Sequence, residues 1–438
     1  MKVLFIKLNV PWVVDQYSDP PLGLLSVMAA AKQLNCDLQL LDMAHEKEIP
    51  KADVYAISSC TPTYPLLLIV AQEIKNLYNG IVIVGGPHFD SISSEIWQQD
   101  IDNVPIDMIL RGEGEYTFKK AIEYLESTGN KPVKKIITQE GLLKPDEIPI
   151  PAREFLNREF YFKPGNTFSG TIFNPGNSAT LMASRGCPFN CAFCASPQLH
   201  KRKVRYRNTE TVKEEIELLK KEYNVSEIRF QDDCFTLNNN RFKELATILY
   251  KAGINYRCSM RADHVNEETA DLLWNSGCRE VGIGVEAAEE KVLELTAKGT
   301  TVQHNINAMK ILRDKGFKVR IFIMTGLPGE TSESASHMIK FLEKTQPDVV
   351  TLTSFTPTPG SDFYNNSEKY GITIINNEWI YYNQALARDV HRPFVHKLST
   401  VTSEDMERNR EMLKEFLFNR NMSNVAQFNK PYKSMLGK

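Results

Sequence analysis

The sequence predicts an α/β chain in two parts: a doubly wound, Rossmann-like parallel sheet, then a partial (β/α)6 barrel, followed by a small helical C-terminal region. Three observations carry that expectation. Strand-length apolar runs alternate with helical periodicity over residues 2–127 and again over 180–355. The strand-like runs are apolar nearly throughout, as parallel strands covered on both faces are. Between them, residues 130–178 are rich in Pro, Gly, Asn and Lys and break the pattern.

In the first part, KVLFIKL (2–8) reads as a strand and residues 21–34 as a helix. Strands follow at 37–43, 53–59, 81–86 and 107–112, with helices at 64–78 and 115–127. Ligands on such sheets bind beyond the carboxyl ends of the strands. Those ends carry Ser58, Ser59, Cys60 and Thr61, then Gly85, Gly86, Pro87 and His88, then Arg111-Gly112-Glu113-Gly114. Small and hydroxylated residues there let a ligand approach the backbone.

In the second part, strands are expected at 180–184, 227–232, 254–260, 280–285, 318–324 and 349–355. Helices are expected at 209–223, 240–252, 266–276, 289–298, 303–315 and 331–345. Six units make a partial barrel, and no fixed-period repeat suggests a solenoid. The boundaries expected are 1–130 for the first domain, 131–177 for a linker, 178–365 for the barrel, and 366–438 for a helical region ending in a basic tail.

Composition narrows the function. Over 438 residues, 52 Lys and Arg face 54 Asp and Glu, a net charge of −2. That balance argues against binding nucleic acid through bulk charge, and no basic stripe with interleaved aromatics is present. No apolar run approaches the roughly 18 residues of a membrane helix. The start, MKVLFIKLNV, has neither the long apolar core nor the cleavage site of a signal peptide. A cytoplasmic, reducing setting is therefore expected, and with it eight cysteines acting as thiols or metal ligands.

The strongest signal is SRGCPFNCAFCASP, which places Cys187, Cys191 and Cys194 in a C-x3-C-x2-C spacing directly after a strand. Three thiolates within eight residues suit one soft metal centre. Structural zinc asks for four ligands, and His200 is the only other local candidate. A cubane iron–sulfur cluster held by three thiolates keeps one iron open for chemistry.

This spacing, after the first strand of a six-unit partial barrel, resembles the radical S-adenosylmethionine (SAM) superfamily over residues 178–360. The resemblance implies a 4Fe–4S cluster on Cys187, Cys191 and Cys194 whose open iron chelates SAM. It implies reductive cleavage of SAM to a 5′-deoxyadenosyl radical, and a one-electron donor such as flavodoxin or ferredoxin. Phe193 is similar to the family's aromatic near adenine. Asp232 or Asp233 would accept from the SAM ammonium, Arg261 would pair with its carboxylate, and Glu286 would accept from the ribose. Gly326 and Pro328, in GLPGET, would lie near adenine. The bland readings are a turn cap for Asp233, a surface ion pair for Arg261 and a helix cap for Glu286. Cys234, Cys258 and Cys278 read as small core residues.

The first sheet, with PPLGLL (20–25), ISSCTPTYP (57–65), VIVGGPH (82–88) and RGEGE (111–115), resembles the cobalamin-binding domain of a large branch of that superfamily. Ser58, Ser59, Thr61, Gly85, Gly86 and His88 would then line the cofactor's tail pocket; helix capping is the alternative for the hydroxyls and turn capping for His88. The first loop (9–23) lacks the histidine that many cobalamin proteins place beneath cobalt. Trp12 and Tyr17, in that loop, would face the corrin or simply pack. The expected function is cobalamin-dependent methyl transfer from SAM to an unactivated centre of a small metabolite. The alternatives are a cobalamin-free radical rearrangement, dehydration, cyclisation or fragment transfer, and a non-catalytic iron–sulfur sensor. The substrate stays open; it would be encoded by the segment after residue 366, with EWIYYNQ (378–384) and HRPFVHK (391–397).

Overall fold

The computed structural model describes residues 1–10, 15–92, 106–129, 135–164, 176–382, 393–420 and 422. Trp12 and the basic tail lie outside the described residues. The chain divides into two compact units: 1–158 with 378–382, and 159–377 with 383–438.

The first unit is built on six parallel strands: β1 (Lys2–Lys7), β2 (Asp37–Asp42), β3 (Val54–Ser58), β4 (Ile81–Gly85), β5 (Met108–Arg111) and β6 (Lys135–Thr138), in the order β2-β1-β3-β4-β5-β6. The order reverses between β1 and β3, and a crevice opens at such a switch point. The helix Tyr64–Tyr78 starts with Pro65 in its first turn, where a missing N–H costs nothing, and stops at Asn79 with φ 49°. The helix Gly114–Thr128 stops at Gly129 in the same way. The core joins Leu4, Ile6, Tyr55, Ile57, Tyr64, Val82 and Val84, with Trp379 packed against it. β6 falls within the stretch expected to be a linker.

The second unit holds β7 (Asn177–Leu181), a two-stranded antiparallel pair of β8 (Ser184–Arg185) with β9 (Arg205–Tyr206), then β10 (Val225–Phe230), β11 (Asn255–Met260), β12 (Cys278–Glu286), β13 (Lys318–Thr325) and β14 (Val349–Ser354). β7 and β10–β14 form a parallel sheet of six strands in chain order, curled into a half-barrel. Each strand is followed by helix, and the helix starts are capped by side chains: Asn208 accepts from Glu210 N, Asn238 from Arg241 N and Asn266 from Thr269 N. A buried ion pair, Arg207–Glu215 at 2.6 Å, fixes the helix Thr209–Tyr223, and Arg207 also donates to the Met182 carbonyl beyond β7. The strand expected at 180–184 is thus broken: β7 ends at Leu181 and β8 starts at Ser184. The C-terminal region adds an antiparallel pair, β15 (Ile372–Ile374) with β16 (His396–Leu398), before the helix Ser403–Asn419. Among the described residues no helix is long and apolar enough to cross a membrane.

Candidate functional site

The cysteine loop leaves β8 at the carboxyl end of the half-barrel. It is pinned at its centre: Ala192 N donates to the Thr296 carbonyl at 2.7 Å, and the Ala192 carbonyl accepts from Phe363 N at 2.8 Å. Cys187, Cys191 and Cys194 are all partly exposed. Ser196 N approaches the Cys194 sulfur at 3.4 Å, and Arg261 Nη1 approaches that of Cys191 at 3.9 Å. Burial raises all three thiols, Cys194 to about 12, while Arg261 and Lys298 pull Cys187 and Cys191 the other way. As thiols they are weak ligands; a soft cationic centre offsets the burial cost of their thiolates. Among the described residues no three His, Cys, Asp or Glu groups gather around a single ion. The donor set fits a cluster, which gives each thiolate its own iron.

Two acidic neighbours differ. Asp232 is buried and accepts from Ala183 N at 3.0 Å and from Ser184 Oγ, so it holds the strand just before the loop. Burial lifts it to about 6. Asp233 is exposed, with one oxygen accepting from Ser196 Oγ at 2.9 Å.

Arg261 is not a surface residue. Its guanidinium lies 3.7 Å from the centroid of the Phe189 ring, forks onto Asp263 at 3.0 and 2.8 Å, and donates to the Lys298 carbonyl at 2.6 Å. Glu286 does not cap the next helix. It sits at φ 64°, a left-handed conformation uncommon outside glycine, and its carboxylate takes Lys298 Nζ at 2.7 Å. Lys298 also donates to the Gly284 carbonyl.

The GLPGET turn is closed by its own acid. Glu330 accepts from Gly326 N at 2.8 Å and Leu327 N at 3.1 Å, while His396 Nε2 donates to the Gly326 carbonyl at 2.9 Å. Burial raises Glu330 to about 7 and lowers His396 to about 4. Pro328 is buried in this turn. Phe193 packs against the apolar cluster of Leu327, Phe355, Phe363 and Phe394, so the cysteine loop and the turn share one core. Cys234, Cys258 and Cys278 are buried, at most 3% exposed, as core residues.

In the first unit, Ser58 is exposed at the end of β3 and Ser59 is buried. Gly86 holds φ 104°, and a Cβ there would lie 2.6 Å from Ser58 Oγ and the Ser59 carbonyl. Gly85 precedes it at the end of β4. His88 is fully buried; its Nδ1 is hydrogen-bonded to Thr61 Oγ1 at 3.1 Å, and its ring stacks on Tyr64 and meets the edge of Trp379. Burial lowers His88 to about 3, so the ring is neutral. Among the described residues Ser59 Oγ and His88 Nε2 are buried without a protein partner, as fits a ligand that brings its own polar atoms. Tyr17 lies beside Lys7, 5.7 Å from the ammonium to the ring centre.

Lys298, Ser184, Ser196 and Phe189 are the site neighbours that sequence reasoning missed. Ser184, Phe189 and Ser196 all lie within the SRGCPFNCAFCASP stretch and carried that local signal; Lys298 alone is brought in by the fold.

Comparison with known proteins agrees with this arrangement. The family model of the radical SAM superfamily matches residues 181–342, and that of the B12 binding domain matches residues 14–122. An uncharacterized methyltransferase of Pyrococcus horikoshii is 31% identical over 372 residues, 78% of this chain and 77% of that protein. The anaerobic magnesium-protoporphyrin IX monomethyl ester cyclase of Rubrivivax gelatinosus is 26% identical over 330 residues, 72% of this chain and 58% of that protein. Among solved structures, the radical SAM methyltransferase TsrM from Kitasatospora setae, with cobalamin and a 4Fe–4S cluster bound, has the same fold: TM-score 0.69 at 14% identity, over 98% of this chain and 93% of that one.

Proposed function

The chain belongs to the radical SAM superfamily, in the branch that carries a B12-binding domain, and from that premise we propose that this enzyme transfers a methyl group from SAM, by way of cobalamin, to an unactivated centre of a small metabolite. The observation that carries the reading is the joining, in one chain, of a three-cysteine loop at the carboxyl end of a half-barrel with a B12-type sheet. Bound there, the cluster supplies one-electron reduction of SAM, and cobalamin supplies a methyl carrier.

The protein's own part is to hold and orient. Cys187, Cys191 and Cys194 would hold the cluster through their thiolates. Arg261 braces the loop through Phe189 and Lys298 and sets a positive charge beside Cys191. That use occupies most of its donors, so the charge reaches the site without a bidentate grip on the SAM carboxylate. Asp233, exposed and half-occupied by Ser196, is the better of the two acids for the SAM ammonium. Glu286, aimed by Lys298, accepts from the ribose. Phe193, Gly326 and Pro328 form the apolar side for adenine. Ser58, Ser59, Thr61, Gly85, Gly86 and His88 face the cobalamin tail. A one-electron donor such as flavodoxin or ferredoxin supplies the reductant.

The cyclase among the relatives favours a second reading, ring closure at the same site. One experiment separates them. The full chain is reconstituted anaerobically with iron, sulfide and hydroxocobalamin, desalted and analysed for metals, then turned over with SAM. Methyl transfer requires cobalt retained beside iron, and S-adenosylhomocysteine accumulating together with 5′-deoxyadenosine. Deoxyadenosine alone would move the reading to cyclisation.

A further inference from the structure

The hairpin that carries the cysteine loop also carries a basic segment. β8 and β9 pair as Ser184 with Tyr206 and Arg185 with Arg205. Residues 186–204 are therefore one loop, with the three cysteines in its first half and His200-Lys201-Arg202-Lys203 in its second. From Ser184 to Asn208 the chain has no Asp or Glu. The acids that bond to this stretch do so elsewhere: Asp232 at Ser184, Asp233 at Ser196 and Glu215 at Arg207. Lys201, Arg202 and Lys203 are exposed, and among the described residues none of the three is in an ion pair.

Two contacts fix this segment against the cysteines. Gly186, at φ 92°, has no room for a side chain: a Cβ there would lie 2.2 Å from the Lys203 carbonyl and 2.8 Å from His200 Cβ. On the other side of Cys187, the Pro188 carbonyl accepts from Arg202 Nε at 3.4 Å. The basic segment thus touches both chain neighbours of a cysteine of the cluster motif. Its own shape is specified too. Arg202 N donates to the Pro197 carbonyl at 3.1 Å and Lys203 N to the His200 carbonyl at 2.9 Å, while Lys201 and Arg202 hold φ 50° and 54°. Glycine reaches that conformation at less cost, so the cations stand where backbone geometry alone favours another residue. An exposed positive cluster steers a negatively charged partner and sets its orientation more than it holds it tightly. Electron-transfer encounters are of that weak kind, with small interfaces.

We propose that Lys201, Arg202 and Lys203 dock an acidic one-electron carrier protein on the Cys187 side of the cysteine loop. One electron passes from the carrier to the cluster, so the carrier is oxidised by one electron and the cluster reduced by one. The inference rests on the reading of the three cysteines as cluster ligands and not on methyl transfer; it adds the place where the reductant binds.

The test reads binding first and electron transfer second. The reconstituted full chain is titrated with oxidised flavodoxin, the acidic probe, by calorimetry. Reduced flavodoxin is then mixed with it anaerobically and the oxidation of its flavin followed. Binding and rate should both fall as ionic strength rises to about 0.15 M, where charges are screened beyond about 8 Å. Replacing Lys201→Gln and Lys203→Gln together keeps the Arg202 contact with Pro188. That variant should bind and react at least about threefold more weakly at low ionic strength, with a flatter salt dependence. Lys201→Glu with Lys203→Glu should lower both further. Photoreduced 5-deazariboflavin, small and uncharged, should reduce wild type and both variants at one rate, with equal iron in all three. Absence of flavodoxin binding, equal binding and rates in the variants, or rates indifferent to salt would overturn the proposal. Slower reduction of the variants by both reductants would also overturn it, by showing a structural role. Total tRNA that binds wild type but not the variants, with flavodoxin rates equal, would make the segment a nucleic-acid contact instead. Failure of 5-deazariboflavin to reduce wild type would overturn the cluster reading, and this inference with it. Docking without methyl transfer would overturn the reaction alone and leave this surface standing.

Discussion

Asp233 and Asp232 are adjacent in sequence and opposite in use. Asp232 spends its carboxylate on Ala183 and Ser184, while Asp233 keeps an exposed oxygen beside Ser196. Asp233→Ala should therefore weaken SAM binding roughly tenfold and leave the iron content unchanged. Replacing Cys187, Cys191 and Cys194 together by Ala should remove the iron. Equilibrium dialysis with labelled SAM and iron analysis check both; an Asp233→Ala protein that binds SAM as wild type does returns that residue to an ordinary turn. The cysteines were legible in the sequence because chelation from one short loop is a local property. Arg261 was legible as a site residue but not in its contacts, since it meets Cys191 across 70 residues of sequence. Lys298 was not legible at all: nothing in its own neighbourhood distinguishes it from a solvated lysine, and only the return of the chain beside Glu286 buries it.

Elements with a strong period were legible almost to their ends: the helices Tyr64–Tyr78 and Thr209–Tyr223 lie where the apolar spacing puts them. Short elements were not. β6 offers only KIIT, with alternate residues exposed, and β15 and β16 have three residues each, too few to show a period. The turn after β13 was legible as GLPGET, but it holds its shape through two groups on Gly326, its own Glu330 and the distant His396. Glu330 favours its protonated form in the fold, rising from the ordinary 4.5 to about 7. Its contribution is full below about 4.5 and is lost as pH rises toward 7. His396 favours its neutral form, falling from 6.5 to about 4, so its contribution is full above 6.5 and is lost as pH falls toward 4. Glu330→Gln should cost about 1–3 kcal/mol, and that cost should shrink between pH 5 and pH 7.5 in denaturant unfolding. A cost that grows with pH would reverse the assignment of the buried, protonated acid.

The molecule as a whole sets two parallel sheets in series, and they are assembled differently. In the second unit each strand of the six-stranded sheet pairs with the previous one in that sheet, so every long-range partner is the nearest available in sequence. The first unit reverses its strand order at β1–β3 and then recruits Glu378–Tyr382 from far down the chain. Trp379 from that segment rests against His88 and the core around Tyr64. Trp379→Ala should remove about 1–3 kcal/mol of apolar contact and speed amide exchange in the helix Tyr64–Tyr78, while exchange in β11–β13 stays as in wild type. Equal acceleration in both units would show that the segment does not belong to the first. The order of synthesis gives this segment a further meaning. A ribosome delivers residues 1–158 early, yet the patch that completes their core emerges only after most of the half-barrel has been made. Until then the nascent first unit carries its Tyr64–His88 face uncovered. The half that resembles a cobalamin domain therefore reaches its final form after the half-barrel has had the opportunity to fold, although it is translated first.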